Sequence, residues 1–190
     1  MTRKGELLRQ RIVAAADELF YQQGYENTSF NDIANAVEIS CGNFYFHFKS
    51  KDEILKAVID KRLENIKHML VDWEQNYHKP IDKLLAYIDM LYSNQGNIKN
   101  HGCPIGVMCT ELNKANHFML SDAVEMHTLF KDWLTQQFEL LGKGKEANQL
   151  SMHLLARAQG IASITHTFEN TDFLKKEIKQ LKEWLKDTIK

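Results

Sequence analysis

The sequence predicts an all-α fold of about nine helices. Three observations carry this. Apolar residues recur at three- and four-residue spacing along most of the chain, and no segment sustains the strict alternation of a half-buried strand. Only two prolines (Pro80 and Pro104) and nine glycines punctuate 190 residues, too few interruptions for a many-stranded sheet.

The first helix is set by Leu7, Leu8, Ile12, Ala15, Ala16, Leu19 and Phe20, with Gly24 as its stop. Thr28 or Ser29 caps a short second helix that turns Ile33, Ala34 and Val37 inward. Ser40 is the N-cap of a third, whose inner face is Phe44 and Phe48. Ser50, Lys51, Asp52 and Glu53 open a long fourth helix, with acids where the helix dipole favours them; Ile54, Leu55, Val58, Ile59, Leu63, Ile66, Met69 and Leu70 continue it. Pro80 suits the first turn of a fifth helix running to about Tyr92. Residues 94–102 read as the clearest break in the chain. A sixth helix follows Pro104, a seventh spans about 118–141, and the last two cover about 145–168 and 172–189.

An apolar fraction of 44% and a charged fraction of 26% are those of an ordinary soluble globular protein. No run approaches the roughly 18 apolar residues of a membrane span. The N-terminus runs into an amphipathic helix rather than a signal peptide, so a cytoplasmic protein without a membrane partner is expected. Three cysteines, Cys41, Cys103 and Cys109, form an odd set at no metal-like spacing, which fits free thiols in a reducing compartment. The net charge of −1 does not announce nucleic acid. Cations and acids also balance through residue 51, but Glu38 is the only acid between Asp32 and Asp52.

Residues 39–51 are the most informative stretch. They place a polar helix start, the rings of Phe44, Tyr45, Phe46 and Phe48, His47, and Lys49 and Lys51 on one short surface-capable segment. The helical unit around residues 31–37 lies just before it. Two short helices joined by a tight turn read as a helix-turn-helix. With Phe44 and Phe48 committed to the core, Cys41, Asn43 and Phe46 face base edges. Asn43 can present donor and acceptor to adenine, and Phe46 can meet a thymine methyl. Thr28, Ser29, Tyr45, His47 and Lys51 have the chemistry for phosphate contacts, and Ser40 caps the reading helix.

Ile12, Ala14, Ala15, Leu19, Phe20, Gly24, Tyr25, Thr28, Ser29, Asp32, Ile33, Ala34, the run from Gly42 to Phe48, and Ser50, Lys51 and Asp52 together resemble the TetR family of bacterial transcriptional regulators. The resemblance covers roughly residues 9–60 as one colinear block. It implies a helix-turn-helix DNA-binding domain over residues 1–50 and a ligand-binding and dimerisation domain over 51–190. It also implies a homodimer on a palindromic double-stranded DNA operator, most simply a repressor, released by a small-molecule effector. The chain departs from the family at Cys41, where Lys or Arg is frequent, and at Asn43, where Thr or Ala is frequent. Losing a cation there weakens the salt-dependent part of binding.

Leu150, Leu154, Leu155, Ala158, Ile161, Ala162 and Phe168, with the apolar stripe of the last helix, suit pairing across a two-fold axis through about residues 147–189. Trp73, Tyr87, Met90, Met108, Phe118, Met126, Phe130 and Trp133 are candidates for an effector pocket. Cys103, between Gly102 and Pro104 at a helix start, offers an alternative reading as a redox or electrophile sensor. The eight histidines show no close ligand pairs, so no metal or other cofactor is expected. No nucleophile, base and orienter pattern stands out. An enzyme is therefore not expected, a small cysteine-dependent one being the remote alternative.

Overall fold

The computed structural model describes residues 3–189, apart from the side chain of Cys41. Among the described residues it contains ten α-helices, one 3-10 turn and no strand. The helices are α1 (Arg3–Gln23), α2 (Phe30–Ala36), α3 (Cys41–His47), α4 (Lys51–Asn76), α5 (Pro80–Ser93), α6 (Gln95–His101), α7 (Pro104–Lys114), α8 (Leu120–Leu140), α9 (Ala147–Thr167) and α10 (Thr171–Thr188). No described helix is long and apolar enough to cross a membrane.

Two compact units divide the chain. One takes residues up to Glu64 together with Val107–Ala123, and the other takes Asn65–Gly106 and the chain from Val124 onward. The unit that holds the helix-turn-helix therefore reaches beyond residue 50 and includes a segment far away in sequence.

In the first unit, α1 buries Ile12, Val13, Ala16 and Phe20, a spacing that repeats the helical period. Gly24, at φ 91°, ends the helix in a left-handed conformation that glycine adopts without strain. Ser29 caps α2 in a capping box: its hydroxyl accepts from the Asp32 N–H while the Asp32 carboxylate accepts from the Ser29 N–H. Two otherwise orphaned donors are thereby satisfied. Ser40 caps α3 by accepting from the Asn43 N–H at 3.3 Å. Ser50 does the same for α4 through the Glu53 N–H at 3.1 Å. Beneath these helices Ile33, Phe44, Phe48, Ile54, Leu55, Val58 and Ile59 are essentially solvent-free. Each such side chain contributes about 1.5–3 kcal/mol of transfer free energy. Arg62 on α4 pairs with Asp17 on α1 at 2.7 Å.

In the second unit, α9 buries one stripe, Ala147, Ser151, Leu154, Leu155, Ala158, Ile161, Ala162 and Thr165. It packs against α6 and α10, and α10 also packs against α5 while burying a stripe of Leu174, Ile178, Leu181 and Leu185. A polar cluster ties α4, α5 and α8 together here. The Glu74 carboxylate accepts from Trp133 Nε1 at 2.8 Å and Gln137 Nε2 at 3.0 Å, and it pairs with the buried Lys83 ammonium.

The expected break at 94–102 is helical instead. Asn94 closes α5 and opens α6, Ile98 is buried, and Gly102 at φ 78° ends the helix. Burial of one apolar residue within a packed unit overrides the polar composition of the segment.

Candidate nucleic-acid interface

The short helix α3 is held from beneath by rings. Phe44 and Phe48 are buried, and Phe30 of α2 lies 5.1 Å from the Phe44 ring. The Arg9 guanidinium sits 4.7 Å over the ring of Phe48, a cation–π contact from α1. With the inner face occupied, the helical period turns Asn43, Tyr45 and Phe46 to solvent. Phe46 is 69% exposed and Tyr45 48%. The structure thus brings Asn43 and Phe46 together on one outward face, as their spacing predicts. Cys41 starts the same helix, but its side chain lies outside the described residues.

Behind this face lies a groove of about 570 Å³, lined by Glu26 to Asn31 on one side and by Tyr45, Ser50 and Lys51 on the other. Its chemistry suits an anion. Ser29 is exposed at the start of α2, Tyr45 offers a phenol, and Lys51 brings an ammonium to the first turn of α4, where backbone N–H groups and the helix dipole also favour negative charge. Lys51 Nζ donates to the carbonyls of Tyr25 at 2.9 Å and Glu26 at 3.3 Å and lies 4.3 Å over the Tyr25 ring. An ammonium has three donors, so this anchoring leaves one for a ligand.

Two expected contacts are altered. Thr28 is buried: its hydroxyl donates to the Gly24 carbonyl at 2.7 Å and accepts from Gln23 Nε2 at 3.3 Å. That group closes a turn instead of facing a phosphate. His47 is half-buried, and its ring meets the Phe46 ring edge-on at 5.4 Å. Its Nδ1 is enclosed without a hydrogen-bond partner, so only the remainder of the ring can serve a contact.

The sequence pattern marked Tyr25 and Asp52 but not Glu111 or His117, which the structure brings against them and their neighbours. The Tyr25 hydroxyl donates to Asp52 Oδ1 at 2.5 Å, and the same oxygen lies 3.2 Å from His117 Nε2. Burial first, and the neighbouring Asp52 carboxylate second, raise the Tyr25 phenol well above its usual range. Glu111 accepts from the Glu26 N–H at 2.9 Å. Glu111 and His117 come from the 107–123 segment, and no local periodicity in the chain points to their meeting a turn some 85 residues earlier.

The other expected sites are scattered. Trp73, Tyr87, Met90, Met126, Phe130 and Trp133 belong to the second unit, whereas Met108 and Phe118 belong to the first. Tyr87 meets Phe130 at 5.4 Å, and Trp73 meets Trp133 at 5.3 Å. Phe118, just before α8, is 70% exposed and stacks on His117 at 4.8 Å. Cys103 is a free, half-buried thiol whose sulfur accepts from the Gly106 N–H at 3.5 Å and Gln159 Nε2 at 3.4 Å.

Residues 12–58 match the family of bacterial regulatory proteins known as tetR, over the region that folds as α1 to α4. An HTH-type transcriptional regulator in the lacX 3' region of Lactococcus lactis is 35% identical over 107 residues, covering 55% of either chain. The HTH-type transcriptional repressor DhaR of a Mycobacterium species is 25% identical over 150 residues, covering 77% of this chain and 72% of DhaR. The matched stretch thus spans about half the length of the first of these relatives. A TetR transcriptional regulator from Legionella pneumophila shares the fold, with a TM-score of 0.83 at 23% identity over 100% of this chain and 98% of its own. A second, from Agrobacterium tumefaciens, has a TM-score of 0.84 at 18% identity. A helix-turn-helix with Asn43, Tyr45 and Phe46 exposed, and a match over that same region to the tetR family of bacterial regulatory proteins, stand on a fold shared along the chain with TetR transcriptional regulators.

Proposed function

We propose that this chain is a homodimeric, cytoplasmic repressor that binds a palindromic operator and leaves it when a small-molecule effector occupies its C-terminal helical core. One observation carries the reading: α3 turns Asn43, Tyr45 and Phe46 outward while Phe44 and Phe48 fix it from below. Asn43 and Phe46 read bases. Ser29, Tyr45 and Lys51 hold phosphate in the adjoining groove, with lesser roles for Ser40, Cys41 and His47. Residues 1–50, with Lys51 at their edge, hold the DNA-binding function, and the chain beyond holds the effector response and dimerisation.

Two recognition helices about 34 Å apart meet successive major grooves, and residues 147–189 supply the two-fold contact. Met152, Ile164 and Phe168 are 47%, 41% and 71% exposed on and just after α9, which supports an apolar contact surface there. The effector pocket draws on Trp73, Tyr87, Met90, Met126, Phe130 and Trp133. An effector acts by preferring the conformation whose helices no longer match the operator. Repression, rather than activation, is supported by the repressor among the relatives.

The test is a shift assay on the duplex that the wild-type chain selects from a randomised pool. Replacing Asn43 by Ala removes a bidentate base contact worth about 1–3 kcal/mol and weakens binding roughly five- to hundredfold. Unchanged binding by Asn43→Ala and by Tyr45→Ala together overturns the assignment of the reading face.

A second reading is favoured by Cys103 alone. It is a free, half-buried thiol at a helix start with two N–H groups on its sulfur, and thiols are the side chains that electrophiles modify. Operator release by an alkylating agent that persists in Cys103→Ser excludes this reading.

A further inference from the structure

The turn between α1 and α2 is held by side chains from distant parts of the first unit. Glu111 Oε1 accepts the Glu26 N–H at 2.9 Å. The same oxygen would lie 3.0 Å from a Cβ at Gly24, so the carboxylate rests directly against the turn, where a φ of 91° already favours glycine. Lys51 Nζ takes the carbonyls of Tyr25 and Glu26, and the Tyr25 hydroxyl goes to Asp52 Oδ1. His117 Nδ1 accepts from the Met119 N–H at 3.2 Å. That leaves the ring proton on Nε2, which points at Asp52 Oδ1 from 3.2 Å. The residues that follow this turn form one wall of the anion groove, and Ser50 and Lys51 form the other. The clamp therefore sets the spacing between the walls.

We propose that Glu111 and His117, supplied by the 107–123 segment, are positioning residues for DNA binding that act through the turn at 24–26 and through Asp52 to fix the groove. The inference rests on the DNA-binding reading above. Electrostatics and positioning predict opposite signs for Glu111. A carboxylate in a DNA-facing unit repels phosphate, so removing it as a mere charge tightens binding. Removing it as a clamp loosens the turn and weakens binding.

The experiment uses the full chain and the duplex that wild type selects from a randomised pool, with affinity measured across a salt series and folding checked by thermal melting. Glu111→Ala weakens binding roughly fivefold, the effect of one lost net hydrogen bond. The slope of log affinity against log salt is unchanged, because no phosphate contact is lost. Glu111→Gln keeps an acceptor for the Glu26 N–H and binds as well as wild type or better. His117→Ala weakens binding to a similar degree, and it carries the same test should Glu111→Ala fail to fold. Tighter or unchanged binding by Glu111→Ala, or equal losses for the Ala and Gln variants, overturns the proposal. Asn43→Ala measured in parallel separates the two levels. If it too is without effect, the reading face is wrong; if it weakens binding while Glu111 and His117 do not matter, only the positioning role falls.

Discussion

Replacing Tyr25 by Phe deletes one oxygen and little else, which makes it the cleanest probe of the clamp. The ring is buried and keeps its edge contacts with Phe20 at 5.2 Å and His117 at 5.4 Å, so no large cavity opens. What is lost is a hydrogen bond to a carboxylate, in the class worth about 1.5–3 kcal/mol. The Asp52 side chain is 41% exposed, so water replaces part of that bond and screening reduces it further. The expected cost is about 1–1.5 kcal/mol at neutral pH, a fall in Tm of roughly 2–6 °C for a chain of this size. Urea melts of wild type, Tyr25→Phe, Asp52→Ala and the double variant measure it, with a coupling energy of about 1 kcal/mol between the two sites. The phenol also has an alkaline signature. Its folded-state pKa lies above the ordinary 10.0, so the native state holds the proton longer than the unfolded chain. Stability from this group is complete below pH 10.0 and declines as pH rises beyond it. Tyr25→Phe lacks that part of the decline. Strictly additive single effects, with no alkaline difference, would show that the Tyr25–Asp52 hydrogen bond contributes nothing.

Two further outcomes are expected. His127 is partly enclosed, its Nδ1 has no partner, and burial lowers its pKa from 6.5. The unfolded chain takes the proton first as pH falls, so the second unit loses stability below pH 6.5 until the folded value is passed. His127→Leu removes that component, and parallel pH profiles of the two proteins in urea melts would refute it. Ser29→Ala removes the cap of α2 and costs about 1 kcal/mol, while Ser29→Gly costs less. The Ser29 hydroxyl and N–H hold the Asp32 carboxyl below its usual 3.8. Their support is present above that value and fades as pH falls through the lower folded one. Titration of Asp32 by NMR in Ser29→Ala, returning towards the ordinary value, checks the cause.

What could be read from the sequence was what local rules govern. Ser29 and Ser40 as caps, Phe44 and Phe48 inward, and the helical identity of long amphipathic stretches depend on residues within one or two turns of each other. The outward placement of Asn43 and Phe46 follows from that, since a seven-residue helix with two buried rings has one face left. The failures involve contacts that helical periodicity does not encode, some with near neighbours in a turn and some with partners distant in sequence. Thr28 looks like a phosphate ligand until its hydroxyl finds the Gly24 carbonyl. Residues 94–102 look like a loop until Ile98 is buried. Phe118 looks like core until the chain turn at Asn116, at φ 49°, leaves it outside and stacked on His117. Glu111 and His117 are the extreme case, because nothing in the pattern around either residue marks it as a partner of the first helix-turn.

The same segment links the proposed effector response to the DNA-binding helices. The 107–123 segment is packed into the first unit, yet its neighbours in sequence on either side belong to the second. α7 runs into it and α8 runs out of it, so a change in the proposed effector pocket has a covalent route to Glu111 and His117. The energy needed is small. If an effector favours a state in which those two hydrogen bonds are absent, about 1 kcal/mol is forfeited for each. A total of about 2 kcal/mol corresponds to roughly thirtyfold in operator affinity, before any change in the separation of the two recognition helices. An effector must prefer that state by at least the same factor to impose it. Glu111→Ala, already lacking one bond, would then respond less to effector than wild type does, even though both bind the same ligand.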